Sequence, residues 1–263
     1  MSTIAHTLRD SRTMLRRDLR HALRFPMTTL SGMMLPVFFM LLFAGVFGNT
    51  LRAGLGGAIP AGGRYIDYLT PGVVLLTAAG CAEATAIGVS TDMTEGIVAR
   101  FRTMAITRTS VLTGRVLGSL LRSLVSGVLV VAVAVAFGFR SSAGPLAWLA
   151  VVGLFALVSF ALTWMSVSFG LLAKTAAGAN SLSLIAVGLP FVSSAFVPSA
   201  SMPSGVAWFA RDQPFTPVID SLRDLLTAAP LGDSAALAAA WCAGISLLGY
   251  LWARSLYERP PAH

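Results

Sequence analysis

The sequence predicts an all-α polytopic membrane protein. Of its 263 residues, 56% are hydrophobic and only 11% are charged, whereas a soluble globular domain has about 45–50% apolar and about 25% charged residues. Six long runs carry at most one charged residue each, and an α-helix needs about 20 apolar residues to cross a hydrocarbon core. We therefore expect six transmembrane helices, at 27–47, 68–91, 116–139, 146–173, 181–197 and 234–253.

Residues 1–26 precede the first span and have the periodicity of an amphipathic helix. Leu15 and Leu19 lie on one helical face, whereas Arg12 and Arg16 lie on another. We expect an N-terminal amphipathic interfacial helix on the cytoplasmic membrane surface, with its guanidinium groups toward anionic lipid headgroups. The alternative is a tail that only keeps the N-terminus in the cytoplasm.

The distribution of basic residues predicts the topology. Six crossings place both termini on one side, and Lys and Arg in short segments are retained in the cytoplasm. We therefore expect residues 1–26, the loop 92–115 and the tail 255–263 to be cytoplasmic, flanking and interrupting a transmembrane domain at 27–254. Arg122 is counted with these cytoplasmic cations. The net charge of +8 then reflects topology, and nucleic acid is excluded as a partner.

Two spans contain candidate residues of a substrate path. Glu83 is a carboxylate inside the second span, and such groups usually face a bundle interior or a wet cavity. Either it contacts cationic cargo, or it is hydrogen-bonded to Ser or Thr on a neighbouring helix. Phe39 and Phe43 of the first span are candidates for an apolar path wall, with core or lipid packing as the alternative.

The segment before the last span predicts an outer gate at 198–232. After the fifth span we expect irregular backbone, followed by a short outer re-entrant helical segment. Irregular backbone is tolerated at membrane depth only when it is buried in protein or lines a wet cavity. Asp220 and Arg223 are expected to pair on a water-exposed face, where a pair is worth only about 0–1 kcal/mol. The candidate gate residues are Pro198, Pro203, Pro214, Pro217 and Arg223.

Short motifs along the chain resemble those of one transporter family. They are YIDYLTPG at 65–72, Glu95-Gly96, RFRTM at 100–104, LTGR at 112–115, SAFVP at 194–198 and DQPFTP at 212–217. In this order and spacing the chain is similar to the type 2 ABC export permeases, in particular those of the daunorubicin-resistance and multidrug efflux group.

The resemblance implies that the chain is one half of an ATP-driven exporter in a bacterial plasma membrane. Its cargo would be an amphiphilic or hydrophobic drug, antibiotic or lipid, held between two permease subunits, either identical or similar. A separate ABC ATPase would hold Mg-ATP, since this sequence lacks the G-x-x-x-x-G-K-[ST] phosphate loop. No cofactor, metal or catalytic residue is expected in the chain itself.

The resemblance also implies a role for the charged loop 92–115. A short polar helix near 103–110 would enter a groove on the ATPase, with Arg100, Arg102 and Arg108 available to its carboxylates. Glu95 would brace that helix. The alternative is a loop whose arginines only set topology.

Two other function classes stay open. A self-contained secondary transporter usually shows internal repeats and paired broken helices, and no repeat is found here. A membrane-embedded lipid-modifying enzyme needs converging polar groups, but His6, His21 and His263 lie near the two termini.

Overall fold

Every regular element that the computed structural model describes is helical. It describes residues 26–50, 63–95, 108–173 and 175–258. The helices are α1 (Pro26–Leu41), α2 (Tyr65–Thr94), α3 (Arg108–Ala136), α4 (Pro145–Leu172), α5 (Ala176–Gly188), α6 (Ser204–Asp212), α7 (Phe215–Thr227) and α8 (Asp233–Glu258). A π-helical turn, Leu42–Val46, extends α1, and 3-10 turns occupy Leu189–Val192 and Ser199–Ser201. The interfacial helix predicted at 1–26 lies outside these ranges, apart from Pro26, which begins α1.

Four helices are long and apolar enough to cross a membrane. They are Tyr65–Thr94, Leu112–Ala136, Pro145–Leu172 and Asp233–Tyr257, and they match the second, third, fourth and sixth predicted spans. The first and fifth predicted spans coincide with the shorter apolar helices Met34–Val46 and Ala176–Val192. The chain is therefore a helical polytopic membrane protein, as the sequence predicts.

Helix α2 begins before the predicted span because polar residues cap it. The backbone N–H of Arg64 donates to the Asp67 carboxylate at 3.0 Å, and the backbone N–H of Arg140 donates to the same carboxylate, also at 3.0 Å. The carboxylate at the N-terminal turn also complements the helix dipole. These contacts join the start of α2 to the loop between α3 and α4.

An apolar helix lies at the predicted fifth span, but its boundaries differ from those predicted. The helix begins five residues earlier than predicted, at Ala176, where the hydroxyl of Thr175 accepts a hydrogen bond from the Gly178 N–H at 3.1 Å. It also ends earlier, at Gly188, and passes through Pro190 into a 3-10 turn. Irregular backbone then begins at Ser193, which agrees with the prediction of one helix followed by a broken segment.

Helix α4 is packed tightly between α2 and α8. A Cβ atom on Gly170 of α4 would lie 2.5 Å from the carbonyl oxygen of Ala86 in α2, and one on Gly249 of α8 would lie 2.9 Å from the backbone nitrogen of Met165 in α4. The hydroxyl of Ser168 donates to the Gly249 carbonyl at 3.0 Å. Small residues allow such close helix approach within a membrane.

Arg122 lies midway along α3, between Arg108 and Ala136. It therefore lies within a helix that is long and apolar enough to cross a membrane, Leu112–Ala136. Its place among the cytoplasmic cations stays a prediction.

Candidate functional site

The chain between α5 and α6, at 189–203, is held by side chains at one end of the bundle. We call this stretch the broken segment and this end of the bundle the Tyr65 end. Three carbonyl groups of the broken segment accept hydrogen bonds from side chains of α2 and of the junction between α6 and α7. The pairs are Gln213 Nε2 to Val192 O at 2.9 Å, Tyr68 OH to Ser194 O at 2.9 Å, and Tyr65 OH to Phe196 O at 3.0 Å. A buried carbonyl without a partner is costly, so these donors allow the chain to leave helical geometry inside the protein.

Arg223 of α7 binds the same segment from the other side. Its guanidinium donates to Asp220 at 2.8 Å and to the Ser194 carbonyl at 2.9 Å. The guanidinium carbon lies 3.9 Å from the centroid of the Tyr68 ring, a distance at which a cation is attracted to the ring face. The Ser194 hydroxyl also donates to Asp220, at 2.8 Å. Asp220, Ser194, Tyr68 and Arg223 therefore form one connected network.

The predicted pairing of Asp220 with Arg223 is confirmed, but the pair is less exposed to water than expected. Only 18% of the Arg223 side chain is exposed, against 39% for Asp220. Val218 and Leu222 lie on the buried face of α7. Helical spacing does not reveal that α7 also packs against the start of α2 and the broken segment, so that Arg223 points into the protein.

A glycine allows this segment to lie against α2. A Cβ atom on Gly72 would lie 2.6 Å from the Cβ of Ala195, which is closer than two non-bonded carbon atoms approach each other. Three of the motifs that carry the family resemblance meet here, namely those at 65–72, 194–198 and 212–217.

Phe39 and Phe43 of the first span pack against two aromatic rings of the Tyr65 end. Phe39 lies 5.0 Å from Phe191 between ring centroids, and Phe43 lies 4.9 Å from Phe196. Phe191 and Phe196 stack on each other at 5.0 Å. All four rings therefore form one aromatic cluster around the broken segment.

The four predicted gate prolines mark where the short helices of this region begin. Pro198 precedes the 3-10 turn Ser199–Ser201, and Pro203 and Pro214 are the N-cap residues of α6 and α7. Pro217 lies in the first turn of α7 and is buried. In the first turn a proline removes no helical hydrogen bond, because those amides have no intrahelical partner.

Glu83 is half-buried in α2, on a stripe that the rest of the described chain leaves partly open. Gly80, Ala84 and Ile87 lie on the same stripe and are also partly or fully exposed. Among the described residues no hydrogen-bond partner reaches Glu83. The alternative of a carboxylate bonded to Ser or Thr of a neighbouring helix is therefore not observed.

The opposite end of the bundle, which we call the Asp92 end, joins α2 to α3 by an ion pair. Arg115 of α3 pairs with Asp92 of α2, and both side chains are about one quarter exposed, at 27% and 25%. The Arg115 guanidinium lies against Gly88, where a Cβ would stand 2.3 Å from one of its nitrogens. The ion pair therefore ties together the two helices from which the loop 92–115 emerges.

Of the four predicted coupling residues, the structure describes Glu95 and the backbone of Arg108. Glu95 is the exposed C-cap residue of α2, and Arg108 begins α3. Arg100 and Arg102, and the side chain of Arg108, lie outside the described part of the chain. In the described ranges, no three His, Cys, Asp or Glu side chains are grouped so as to hold a metal ion.

Six residues of these sites are not among the site residues predicted from the sequence. Tyr65, Tyr68, Ser194 and Gln213 contribute to the contacts of the broken segment, and Asp92 pairs with Arg115. One signal was available for the tyrosines: residues spaced i, i+3 lie on one helix face, so two phenol groups at the start of a span indicate a shared polar target.

Comparison with known proteins identifies the family. Residues 9–227 match the model of the ABC-2 type transporter. The chain is 25% identical over 203 residues to the daunorubicin resistance ABC transporter permease protein DrrB1 of Streptomyces coeruleorubidus, covering 77% of this chain and 69% of that protein. It is also 23% identical, over 99% of this chain and 91% of the relative, to the probable doxorubicin resistance ABC transporter permease protein DrrC of Mycobacterium tuberculosis.

The match covers α1 to α7, and so includes both the broken segment of the Tyr65 end and the loop of the Asp92 end. The resemblance seen in the motifs is thereby confirmed. The chain belongs to the ABC-2 type transporter family and is a membrane-embedded permease subunit of an ABC transporter.

Proposed function

We propose that this permease exports an amphiphilic or hydrophobic small molecule, a drug, antibiotic or lipid, from the cytoplasm or inner leaflet of a bacterial plasma membrane. The observation that carries this proposal is the match to the ABC-2 transporter family, together with two relatives whose names state resistance to a drug. A separate ABC ATPase supplies the energy and holds Mg-ATP.

The proposed transmembrane domain, residues 27–254, has six crossings. Helix α1 with its π turn contains 21 residues, from 26 to 46, and at 1.5 Å per residue it is about 31 Å long. Residues 176–192 are about 25 Å long on the same measure, close to the about 30 Å of a hydrocarbon core. Both lengths support α1 and α5 as the two crossings additional to the four long helices.

The proposed orientation places the Asp92 end in the cytoplasm, with the N-terminal interfacial helix at 1–26 and the tail at 255–263. The excess of basic residues in these segments supports it. The Tyr65 end then faces outward, and the outer gate at 198–232 covers it.

The loop 92–115 is the proposed coupling element for the ATPase. The ion pair between Asp92 and Arg115 supports this role, because a push on the loop is passed to α2 and α3 together. Glu95 is exposed and accessible to a partner. Arg100, Arg102 and Arg108 are proposed to bind carboxylates on the ATPase, which guanidinium groups bind in a bidentate geometry.

Arg223 and the four prolines are proposed to form the outer gate, with the aromatic cluster as its apolar lining. This proposal is supported by the hydrogen bonds to the broken segment, which come from side chains and not from the backbone of a helix. Side-chain hydrogen bonds can be exchanged one at a time for water, so the segment can move without unwinding a transmembrane helix.

Glu83 is proposed to contact the cargo, beside a second permease subunit of identical or similar sequence. Its half-open position on α2 and its lack of a partner among the described residues support a role in binding. We propose that Phe39 and Phe43 form the apolar wall of the same path, in the part that lies nearer the outer gate.

The test uses the full chain produced together with its ATPase, in inside-out membrane vesicles. Daunorubicin uptake should require ATP and should stop when the P-loop lysine of the ATPase is replaced. The double variant R102E/R108E should lose both uptake and copurification of the ATPase at an unchanged membrane level. The control R140E reverses an exposed arginine of the Tyr65 end that lies outside the proposed outer gate, and it should retain both.

Two results would overturn the proposal. One is uphill transport by the purified chain alone in liposomes, without nucleotide. The other is an R102E/R108E variant that keeps its ATPase bound and its substrate-stimulated ATP hydrolysis intact, which would remove the coupling role.

A further inference from the structure

Arg122 places a positive charge inside the transmembrane part of α3. It lies midway along the helix, and its Nη2 donates to the hydroxyl of Thr85 in α2 at 3.0 Å. Its Nε is buried and has no hydrogen-bond partner. No carboxylate of the described chain lies within ion-pair distance of this guanidinium.

Arg115 of the same helix, unlike Arg122, has a carboxylate partner among the described residues. Seven residues separate Arg115 from Arg122, so the two lie on nearly the same helix face and about 10 Å apart along the axis. Arg115 pairs with Asp92 of α2. The face of α3 that meets α2 therefore carries one arginine with a carboxylate partner and, deeper in the membrane, one without.

Glu83 does not balance Arg122, although it is close to Thr85 in sequence. Two residues along an α-helix are separated by about 200°, so Glu83 lies on the side of α2 that faces away from Thr85. The positive charge therefore has no carboxylate partner among the described residues.

Hydroxyl groups hold the Arg122 guanidinium in place. The Thr85 hydroxyl donates to the Cys81 carbonyl at 2.9 Å and lies 2.7 Å from the Ser119 hydroxyl. With its hydrogen committed to that carbonyl, Thr85 presents only acceptor sites to Arg122 and Ser119. The site is therefore preorganised, and Nη1 of Arg122, which is not fully buried, makes no hydrogen bond with the described residues.

The depth and direction of the side chain indicate what binds there. An uncompensated arginine at the centre of a span costs roughly 2.5–3.5 kcal/mol, a cost that an anionic group removes. Helical side chains lean toward the N-terminus of their helix, which for α3 is the Asp92 end, so the guanidinium points toward a headgroup region. Its planar fork matches phosphate oxygens in a bidentate geometry.

We propose that Arg122, positioned by Thr85, binds the phosphate group of an anionic phospholipid in the groove between α2 and α3. This site is separate from the proposed cargo path and from the ATPase loop. Lipid binding there balances the charge of Arg122 and joins α2 to α3 at a second level, deeper than the pair between Asp92 and Arg115.

The test measures lipid retention by native mass spectrometry of the purified full chain, without ATPase or cargo. Wild type should retain phosphatidylglycerol over phosphatidylcholine by about tenfold, which is equivalent to about 1.4 kcal/mol. R122Q should lose this preference, R122K should keep part of it, and T85V should weaken it while leaving Arg122 present. The matched control R140Q, at an exposed arginine, should behave as wild type.

An R122Q protein that retains phosphatidylglycerol as wild type does would overturn the proposal. If R122Q does not fold, as judged by size-exclusion chromatography, R122K and T85V decide: wild-type preference in both overturns it. Inorganic phosphate that displaces the lipid at equal concentration would show a free-anion site and overturn the lipid assignment. Because transport is not measured, these outcomes are independent of the exported cargo.

Discussion

Arg223 connects three parts of the chain that are far apart in sequence. It reaches Asp220 within α7, the Ser194 carbonyl of the broken segment and the ring of Tyr68 at the start of α2. Without it, the Ser194 carbonyl and the Asp220 carboxylate keep only neutral donors, the hydroxyls of Tyr68 and Ser194, and hydrogen bonds to charged groups contribute more than neutral ones. The proposed outer gate therefore depends on this guanidinium.

We predict that Arg223→Gln lowers the free energy of unfolding by about 1–3 kcal/mol. The reason is that the Ser194 carbonyl and the Asp220 carboxylate both lose a charged donor. Thermal unfolding of the purified protein in detergent measures the effect. Arg211→Gln, in the exposed part of α6, is the control and should leave the melting temperature unchanged. Equal melting temperatures for both variants would contradict the network's role.

Gly72 supports a second prediction at the scale of single residues. Gly72→Ala places a methyl group 2.6 Å from the Ala195 Cβ, so the broken segment must move away from α2. Overpacking of this kind typically costs about 1–3 kcal/mol. Gly153→Ala in α4 adds the same methyl group where no atom lies within 4 Å. We expect a lower melting temperature for the first variant only, and equal shifts would show that the contact is not tight.

The ion pair at the Asp92 end is a contact between elements, because it joins α2 and α3 on either side of the loop 92–115. Pairs in direct contact show interaction free energies of about 0.5–3 kcal/mol in double-mutant cycles. The partial burial of both side chains makes screening by water weaker than for an exposed pair. This contact also has a functional reading, since it fixes the spacing of the two helix ends that carry the proposed coupling loop.

A double-mutant cycle of Asp92→Asn and Arg115→Gln should give an interaction free energy within that range. Each single variant should also reduce substrate-stimulated ATP hydrolysis by the partner ATPase, because α2 and α3 no longer move together. Thermal unfolding and ATPase assays measure the two effects. Additive stability changes, with normal stimulation in both single variants, would show that the pair has no part in coupling.

For the molecule as a whole, the charge of Glu83 tests whether α2 faces the cargo. Glu83→Gln should reduce export of a cationic drug several-fold more than export of a neutral one of similar size, since it removes a charge without changing shape. Uptake into inside-out vesicles measures both. Asp233→Asn, at an exposed carboxylate where α8 begins, is the control. A Glu83→Gln protein that handles both drugs as wild type does would exclude Glu83 from the path.

The long helices follow from composition, because a run of more than 20 apolar residues in lipid has few structures besides a helix. The position of the break after α5 does not follow from composition. Pro190 indicates that the helix is disturbed nearby, but donors from Tyr65, Tyr68 and Gln213 decide where the backbone can leave it. Arg223 meets the backbone of Tyr68 across 155 residues, and no local pattern predicts such a contact.

The two glycine contacts of α4 restrict how this protein can change shape. Neither Gly170 of α4 against α2 nor Gly249 of α8 against α4 leaves space for a methyl group, and interfaces packed to that density do not slide continuously. During a transport cycle α2, α4 and α8 should therefore be displaced as one rigid body. Alternating exposure of the cargo is then expected from elements outside that body, such as α1.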